Sequence, residues 1–385
     1  MKRTFLLFLL SAQLSGAAIV DRWFDVTSAG SGDGTSHANR AALFSSGNWS
    51  TVITGFNFSG SDSLRCYIEA GSYTCSQALA SGLFTNAPSQ ANPLLLLGAD
   101  SSGNILSIPD TGWVSAQPAW STSTLPTIAT TTNIATINLA STTAYLINFT
   151  ASGRNSTVIA GGCRLFWCQV SNSAANTAAA GVANGDFMYG SVISCTGSSY
   201  DSVILLAATT NCQNVRVVGN SSASSGNRRG VTTSTTLSAS RLTVINNPGE
   251  GIISTSSSTG ASIQIARSVI ANNTGTAFKA HSTASQTTNY LAEGCMITGN
   301  NPGIDGNSNA ARFHVQANRL RNTTSDITGI GNYPTNLGND TTAGNDTDEY
   351  ADATNGDFRI KNTSIYWGLG YGAGDQPKVP GFFIQ

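Results

Sequence analysis

The sequence predicts an all-β fold built as a parallel β-helix, and three observations predict it. A phrase of two or three β-branched or apolar residues, followed two places on by asparagine or a small residue, returns seven times within residues 161–325. With the second apolar residue as the mark, it falls at Val170, Ile193, Val218, Ile245, Ile270, Ile297 and Leu320, spaced 23, 25, 27, 25, 27 and 23 residues apart. Units of roughly 20–29 residues with short strands and no long amphipathic helix bury an apolar face only by stacking on copies of themselves. The runs 215–218, 242–245 and 263–270 lack helical spacing and read as strands bounded by Asn, Gly and Ser. Charged residues make up 10% of the chain where about 25% is usual, as expected if like charges stacked on adjacent strands repel.

Two positions after the marks stand Asn172, Cys195, Asn220, Asn247, Asn272, Gly299 and Asn322. Stacked turns lie about 4.8 Å apart, so these asparagines are expected to pass amide hydrogen bonds along the coil as a ladder. Arg267 and Glu293, close to the same phase on neighbouring turns, are expected to pair.

In chain order, residues 1–17 carry Lys2 and Arg3, an apolar run at 5–10 and the small residues Ser15, Gly16 and Ala17. This is the form of a secretory signal peptide, and the run is shorter than the ~20 residues of a membrane span. Residues 18–325 form the coil domain. Within it, 38–44 are expected to make a short helix over the open strand edge, and 111–132, with Trp113, Trp120, Pro118 and Pro126, to leave the coil as a loop. Residues 326–385 form an acidic, Gly-rich closing segment. Of seven cysteines, Cys66 and Cys75 flank a short run and are the candidate disulfide of an exported chain. The other five are expected to pack as small hydrophobes.

The phrases Ser268-Val269-Ile270-Ala271-Asn272-Asn273 and Cys295-Met296-Ile297-Thr298-Gly299-Asn300-Asn301 resemble turns of the right-handed parallel β-helix proteins of the pectate-lyase-like superfamily. The stretch 25–42, with Gly32-Asp33-Gly34-Thr35-Ser36, is similar to their entry sequence. Ile68-Glu69-Ala70-Gly71-Ser72-Tyr73-Thr74 is similar to their first-turn phrase, and Asn355-Gly356-Asp357-Phe358-Arg359-Ile360 to their exit turn. The resemblance implies the right-handed coil, in line with the general preference of parallel crossovers. It says little about function, since one fold hosts many.

Glycosidases need two carboxylates at a set separation. Between 150 and 325 the acids are Asp186, Asp201, Glu250, Glu293 and Asp305. No two on neighbouring turns share a phase, and Asp201 and Asp305, which do, are four turns or about 19 Å apart. The same span holds eleven Lys and Arg. Arg228 and Arg229 share a phase with Lys279 and His281 two turns on, with Glu250 between. This predicts a basic strip as the substrate-binding site for an anionic polysaccharide. Asp346, Asp348 and Glu349 are the candidate calcium ligands; no other cofactor is indicated. A net charge of −1 and a pI near 6.3 with scattered arginines exclude a nucleic-acid stripe.

Three readings stay open. The first is a secreted or cell-surface β-helix that binds carbohydrate, or builds an extracellular or adhesive structure, without catalysis. The second is a polysaccharide lyase or glycoside hydrolase. The third is a virus tail or particle-surface protein, for which a homotrimer is the expected assembly.

Overall fold

The computed structural model describes residues 18–59, 62–89, 91–105, 125–130, 135–139, 144–147, 150–153, 157–174, 180–207, 209–223, 228–255, 262–280, 289–306, 313–316, 318–328, 350–352 and 357–361. The expected signal peptide at 1–17 and most of the closing segment lie outside these residues. Two compact units are distinguished, dividing between Val170 and Ser171 among the described residues. Each is a stack of parallel strands in three sheets. Every turn visits sheet 1, then sheet 2, then sheet 3.

In the first unit, sheet 1 runs Ala41–Ala42, Ala18–Asp25, Asp62–Glu69, Leu94–Ala99, Ala144–Ile147, Arg164–Phe166. The expected helix at 38–44 is absent. A 3-10 turn at His37–Asn39 ends at Arg40, which is extended at φ −60° and ψ 140°. Arg40 is drawn out by Asp25 and Glu69, so Ala41–Ala42 instead adds an edge strand beside Phe24 and Asp25. A hairpin, Phe44–Ser45 with Asn48–Trp49, and a helix at Thr51–Thr54 follow. Part of the expected loop at 111–132 is strand instead. Pro126–Thr130 is a sheet 2 strand in register with Gly71–Cys75, burying alternate residues; proline is tolerated there as the first strand residue. Residues 111–124, with both loop tryptophans, and 131–132 lie outside the described residues.

In the second unit the core is a set of aligned apolar columns. Sheet 1 stacks Met188, Cys212, Ala239, Ile265, Ala292 and Val315. Sheet 2 stacks Ile193, Val217, Val244, Ile270, Ile297 and Leu320. Sheet 3 stacks Ile204, Val231, Ile252, Phe278, Ile304 and Ile327. The columns show a slip in the sequence register: Val217 and Val244, not Val218 and Ile245, align with the other marks. At the far end of the chain Tyr350–Asp352 and Asp357–Ile360 pair antiparallel.

Among the fully described corners from sheet 1 to sheet 2 in the second unit, five are two residues long, at 190–191, 214–215, 241–242, 267–268 and 294–295. The first residue is left-handed each time: Gly190, Asn214, Arg241, Arg267 and Gly294 have φ between 48° and 60°. For a non-glycine residue this costs about 1–2 kcal/mol. Backbone bonds between turns offset it, Asn214 N–H donating to Ser240, Arg241 to Ala266 and Arg267 to Glu293 at 2.9–3.0 Å. Arg267 and Glu293 therefore meet through their backbones, rather than through the side-chain pair expected.

At the corner from sheet 2 to sheet 3, Asn246, Asn272 and Gly299 are left-handed and the next residue carries the ladder. Asn247 Nδ2 donates to Asn273 Oδ1 at 2.8 Å, Asn273 to Asn300 at 2.9 Å, Asn300 to Asn322 at 2.9 Å, and Asn322 to Asp326 at 2.9 Å. At the start Tyr200 O–H donates to Asn247 Oδ1. The ladder is real, but Asn273 replaces the expected Asn272, and Asn300 joins it beside Gly299, where no asparagine was expected. Asn172 and Asn220 stand apart from it, donating to the carbonyls of Ala180 and Thr196. Opposite the ladder, Gly230, Gly251 and Gly303 leave the space it fills: a Cβ on them would lie 2.4–3.0 Å from the Nδ2 of Asn247, Asn273 and Asn322.

Candidate functional site

Sheet 3 of the second unit carries the predicted strip. Arg229 opens the strand Arg229–Thr233, Lys279 closes Phe278–Lys279, and Glu250 lies in the turn before Ile252–Ser254. The structure brings the three together. Glu250 spans two cations, with Arg229 Nε at 3.3 Å from Oε2 and Lys279 Nζ at 3.2 Å from Oε1. A residue missing from the prediction joins them: Asp201 lies 3.8 Å from the Arg229 guanidinium. It follows from the pairing of Ser202 with Arg229, which counting from the slipped marks hid. Arg228 adjoins the group, its buried Nε without a hydrogen-bond partner among the described residues. His281 lies outside the described residues.

The strip is therefore an alternating chain of ion pairs rather than a basic patch. Burial opposes the charge of Glu250, but its own backbone N–H together with Lys279 and Arg229 holds the carboxyl below its usual range. Burial raises Asp201, against the pull of Arg229 and Arg228. A carboxylate fixed between two cations is poorly suited to act as a general acid. The candidate calcium ligands Asp346, Asp348 and Glu349 lie outside the described residues. Among the described residues, no group of three or more His, Cys, Asp or Glu is placed to hold a metal ion.

Sheet 1 of the second unit presents a different surface. Along Thr210–Gln213, Leu237–Ser240 and Ser262–Ala266, alternate residues are buried. Those facing out, in register, are Asn211, Ser238 and Gln264 in one column and Gln213, Ser240 and Ala266 in the next. Half-exposed Phe187 and Tyr189 head the two columns. The face is flat, uncharged over these strands, and lined by amides and hydroxyls. Sheet 2 offers nothing comparable: Val192, Thr243, Ile245, Val269 and Met296, which flank its inward column, are themselves buried.

A second charged cluster sits in the first unit. Phe24 and Ile68 are register partners, which sets Asp25 and Glu69 in one phase on neighbouring strands. Arg40 Nε bridges them, 3.0 Å from Asp25 Oδ2 and 3.4 Å from Glu69 Oε1. His37 Nε2 approaches Glu69 Oε1 at 2.8 Å. Residues 64–68 alternate, but 20–24, Val-Asp-Arg-Trp-Phe, do not, so the sequence did not show the pair of acids.

Cys66 and Cys75 do not form the expected disulfide; both are buried thiols. The chain turns after Glu69, so Cys66 packs in sheet 1 beside Leu96 and Cys75 in sheet 2 beside Thr130. The remaining five cysteines are also buried thiols outside any disulfide, as expected for small hydrophobes.

No family model matches the chain, and no curated protein matches it. Among solved structures, it is similar to the crystal structure of pectate lyase Pel9A, with a TM-score of 0.53 and 12% identity, over 96% of this chain and 95% of that one. The fold is thus the pectate-lyase-like parallel β-helix, and the likeness is one of fold.

Proposed function

We propose that this is an exported β-helix that binds polysaccharide on the open face of sheet 1 in its second unit, and that the sheet 3 strip performs no chemistry. The observation that carries the reading is the in-register array of exposed Asn211, Gln213, Ser238 and Gln264 with Phe187 and Tyr189 at its head. Amides and hydroxyls at strand spacing can both donate to and accept from sugar hydroxyls, and aromatic rings supply apolar contact at one end. The uncharged lining favours a neutral glycan over the anionic one suggested by the arginine count. Polysaccharide as a ligand class is in keeping with the fold neighbour, a pectate lyase. Export rests on the form of residues 1–17. The hydrolase reading loses ground because Glu250 is engaged by two cations.

The test is calorimetric titration of the purified protein with neutral and anionic polysaccharides, alongside assays for reducing ends and unsaturated products. Binding to a neutral glycan that weakens roughly five- to tenfold for each of Asn211→Ala and Gln264→Ala, about 1 kcal/mol apiece, with no product formed, is expected. Binding that ignores these changes but fails with Arg229→Ala and with added salt would move the site to sheet 3. Product formation abolished by Glu250→Gln would restore the enzyme reading, and an absence of binding across the panel would end the proposal.

A further inference from the structure

The entry segment between Val26 and Arg40 is held to the first strand by one backbone bond and closed on itself by others. Trp23 N–H donates to Gly34, Gly34 N–H to Asn39, and Ala29 N–H to Arg40. Beneath these, Glu69 is a charged side chain only 5% exposed. Its Oε1 faces His37 Nε2 at 2.8 Å; neither atom reaches solvent, and neither has a hydrogen bond of good geometry as the groups stand. The other groups that face this pair are Arg40 and Asp25, Asp100, whose charge is felt by His37 across the 100–104 turn, and Tyr73, whose O–H donates to the Glu69 carbonyl. Gly103 fixes the imidazole from the side, since a Cβ there would stand 2.9 Å from His37 Cδ2 and 3.0 Å from Trp23 Nε1.

We infer that His37 and Glu69 form a proton-operated latch that holds the entry segment closed on the coil in acid and loosens it as the pH rises. A carboxylate sealed under a loop ionises at the expense of closure, because lifting the loop returns it to water. The direction follows from its environment. Burial raises the Glu69 carboxyl, and Asp25 adds to this, outweighing Arg40 and His37. The closed form therefore binds its proton more tightly than the open form. The stabilisation is complete below the ordinary carboxyl value of about 4.3 and is lost as the pH rises through the raised one. With the proton in place, the two facing atoms share it.

Amide hydrogen exchange on the full chain, corrected for intrinsic rates, tests this. Protection at Trp23, Ala29 and Gly34 should fall from about pH 4 to about pH 8. In Glu69→Gln, whose side chain is always neutral, protection at these amides should stay high and flat with pH. Amides of the second-unit core, such as Val244 and Ile270, provide the reference. Protection at the three amides that is constant with pH in the unaltered protein, or that falls on acidification, overturns the inference. So does a Glu69→Gln variant that keeps the pH dependence. The series on the unaltered protein decides the matter alone if that variant does not fold.

Discussion

Asn300 Oδ1 accepts two hydrogen bonds from Asn273, one from its side-chain amide at 2.9 Å and one from its backbone N–H at 3.1 Å. The remaining Nδ2 hydrogen of Asn273 goes to the carbonyl of Val244 on the previous turn. One side chain thus ties three turns at a place closed to water. Asn273→Ala takes away the oxygen that accepts from the Asn247 backbone N–H and Nδ2 and the amide that donates to Val244 and Asn300, and should remove about 2–3 kcal/mol. Asn272→Ala, beside it but outside the ladder, should cost about 1 kcal/mol through its left-handed backbone alone. Urea denaturation of the two variants checks the difference.

Gly251 has no room for a side chain. A Cβ would meet the Ala277 carbonyl at 2.6 Å, Ile270 Cγ2 at 2.7 Å and Asn273 Nδ2 at 3.0 Å. Gly251→Ala should destabilise by about 1–3 kcal/mol. Gly82→Ala, with nothing within 4 Å, should have little effect. Thermal melts of both variants, run together, separate crowding from the general effect of losing a glycine.

Glu250 and Glu69 should shift acid stability in opposite directions. Glu250 is held below its usual range, so its contribution is present above about 4.3 and is lost as the pH falls through its lowered value. Glu250→Gln should therefore lower stability by about 1 kcal/mol near neutrality, a figure kept small by partial solvent screening, and should make little difference in strong acid. Denaturation midpoints across pH test this; a loss that is equal at every pH would refute it.

All seven cysteines are buried thiols outside any disulfide. Burial raises Cys163, Cys195, Cys212 and Cys295 to about 12 and Cys75 to about 11, and pushes Cys66 up as well. The native protein should resist alkylation at neutral pH and take up seven labels on unfolding without reductant. A mass two hydrogens short of the reduced chain would indicate a disulfide instead.

The stack and the existence of the ladder were legible because the interval between turns survives in the spacing of the apolar phrases. The ladder's membership was not. Its phase must be read from sheet 2, where Thr243, Val244 and Ile245 are all buried, and burial on both faces erases the alternation that would distinguish inward from outward. The chemistry was harder to read for another reason. Arg229 and Glu250 lie level on sheet 3, but Lys279 pairs with Ile253 three residues along, so its meeting with Glu250, like the neutralisation by Asp201, depends on side-chain reach. His37 meets Glu69 only because a non-repeating segment folds back, and no period in the sequence encodes that contact.

The two-residue corner between sheets 1 and 2 keeps its length while the other corners vary. From Asn214 to Arg241, Arg267 and Gly294 the steps are 27, 26 and 27 residues. A stretch running from one such corner to the next is a self-contained cassette, ending in the backbone conformation in which it began. Duplicating one should lengthen the coil by a single step of about 4.8 Å without disturbing the joints on either side. In that sense the gene can behave as a ruler, gaining or losing whole turns by recombination between like corners, while changes in residue count are absorbed along the other two edges.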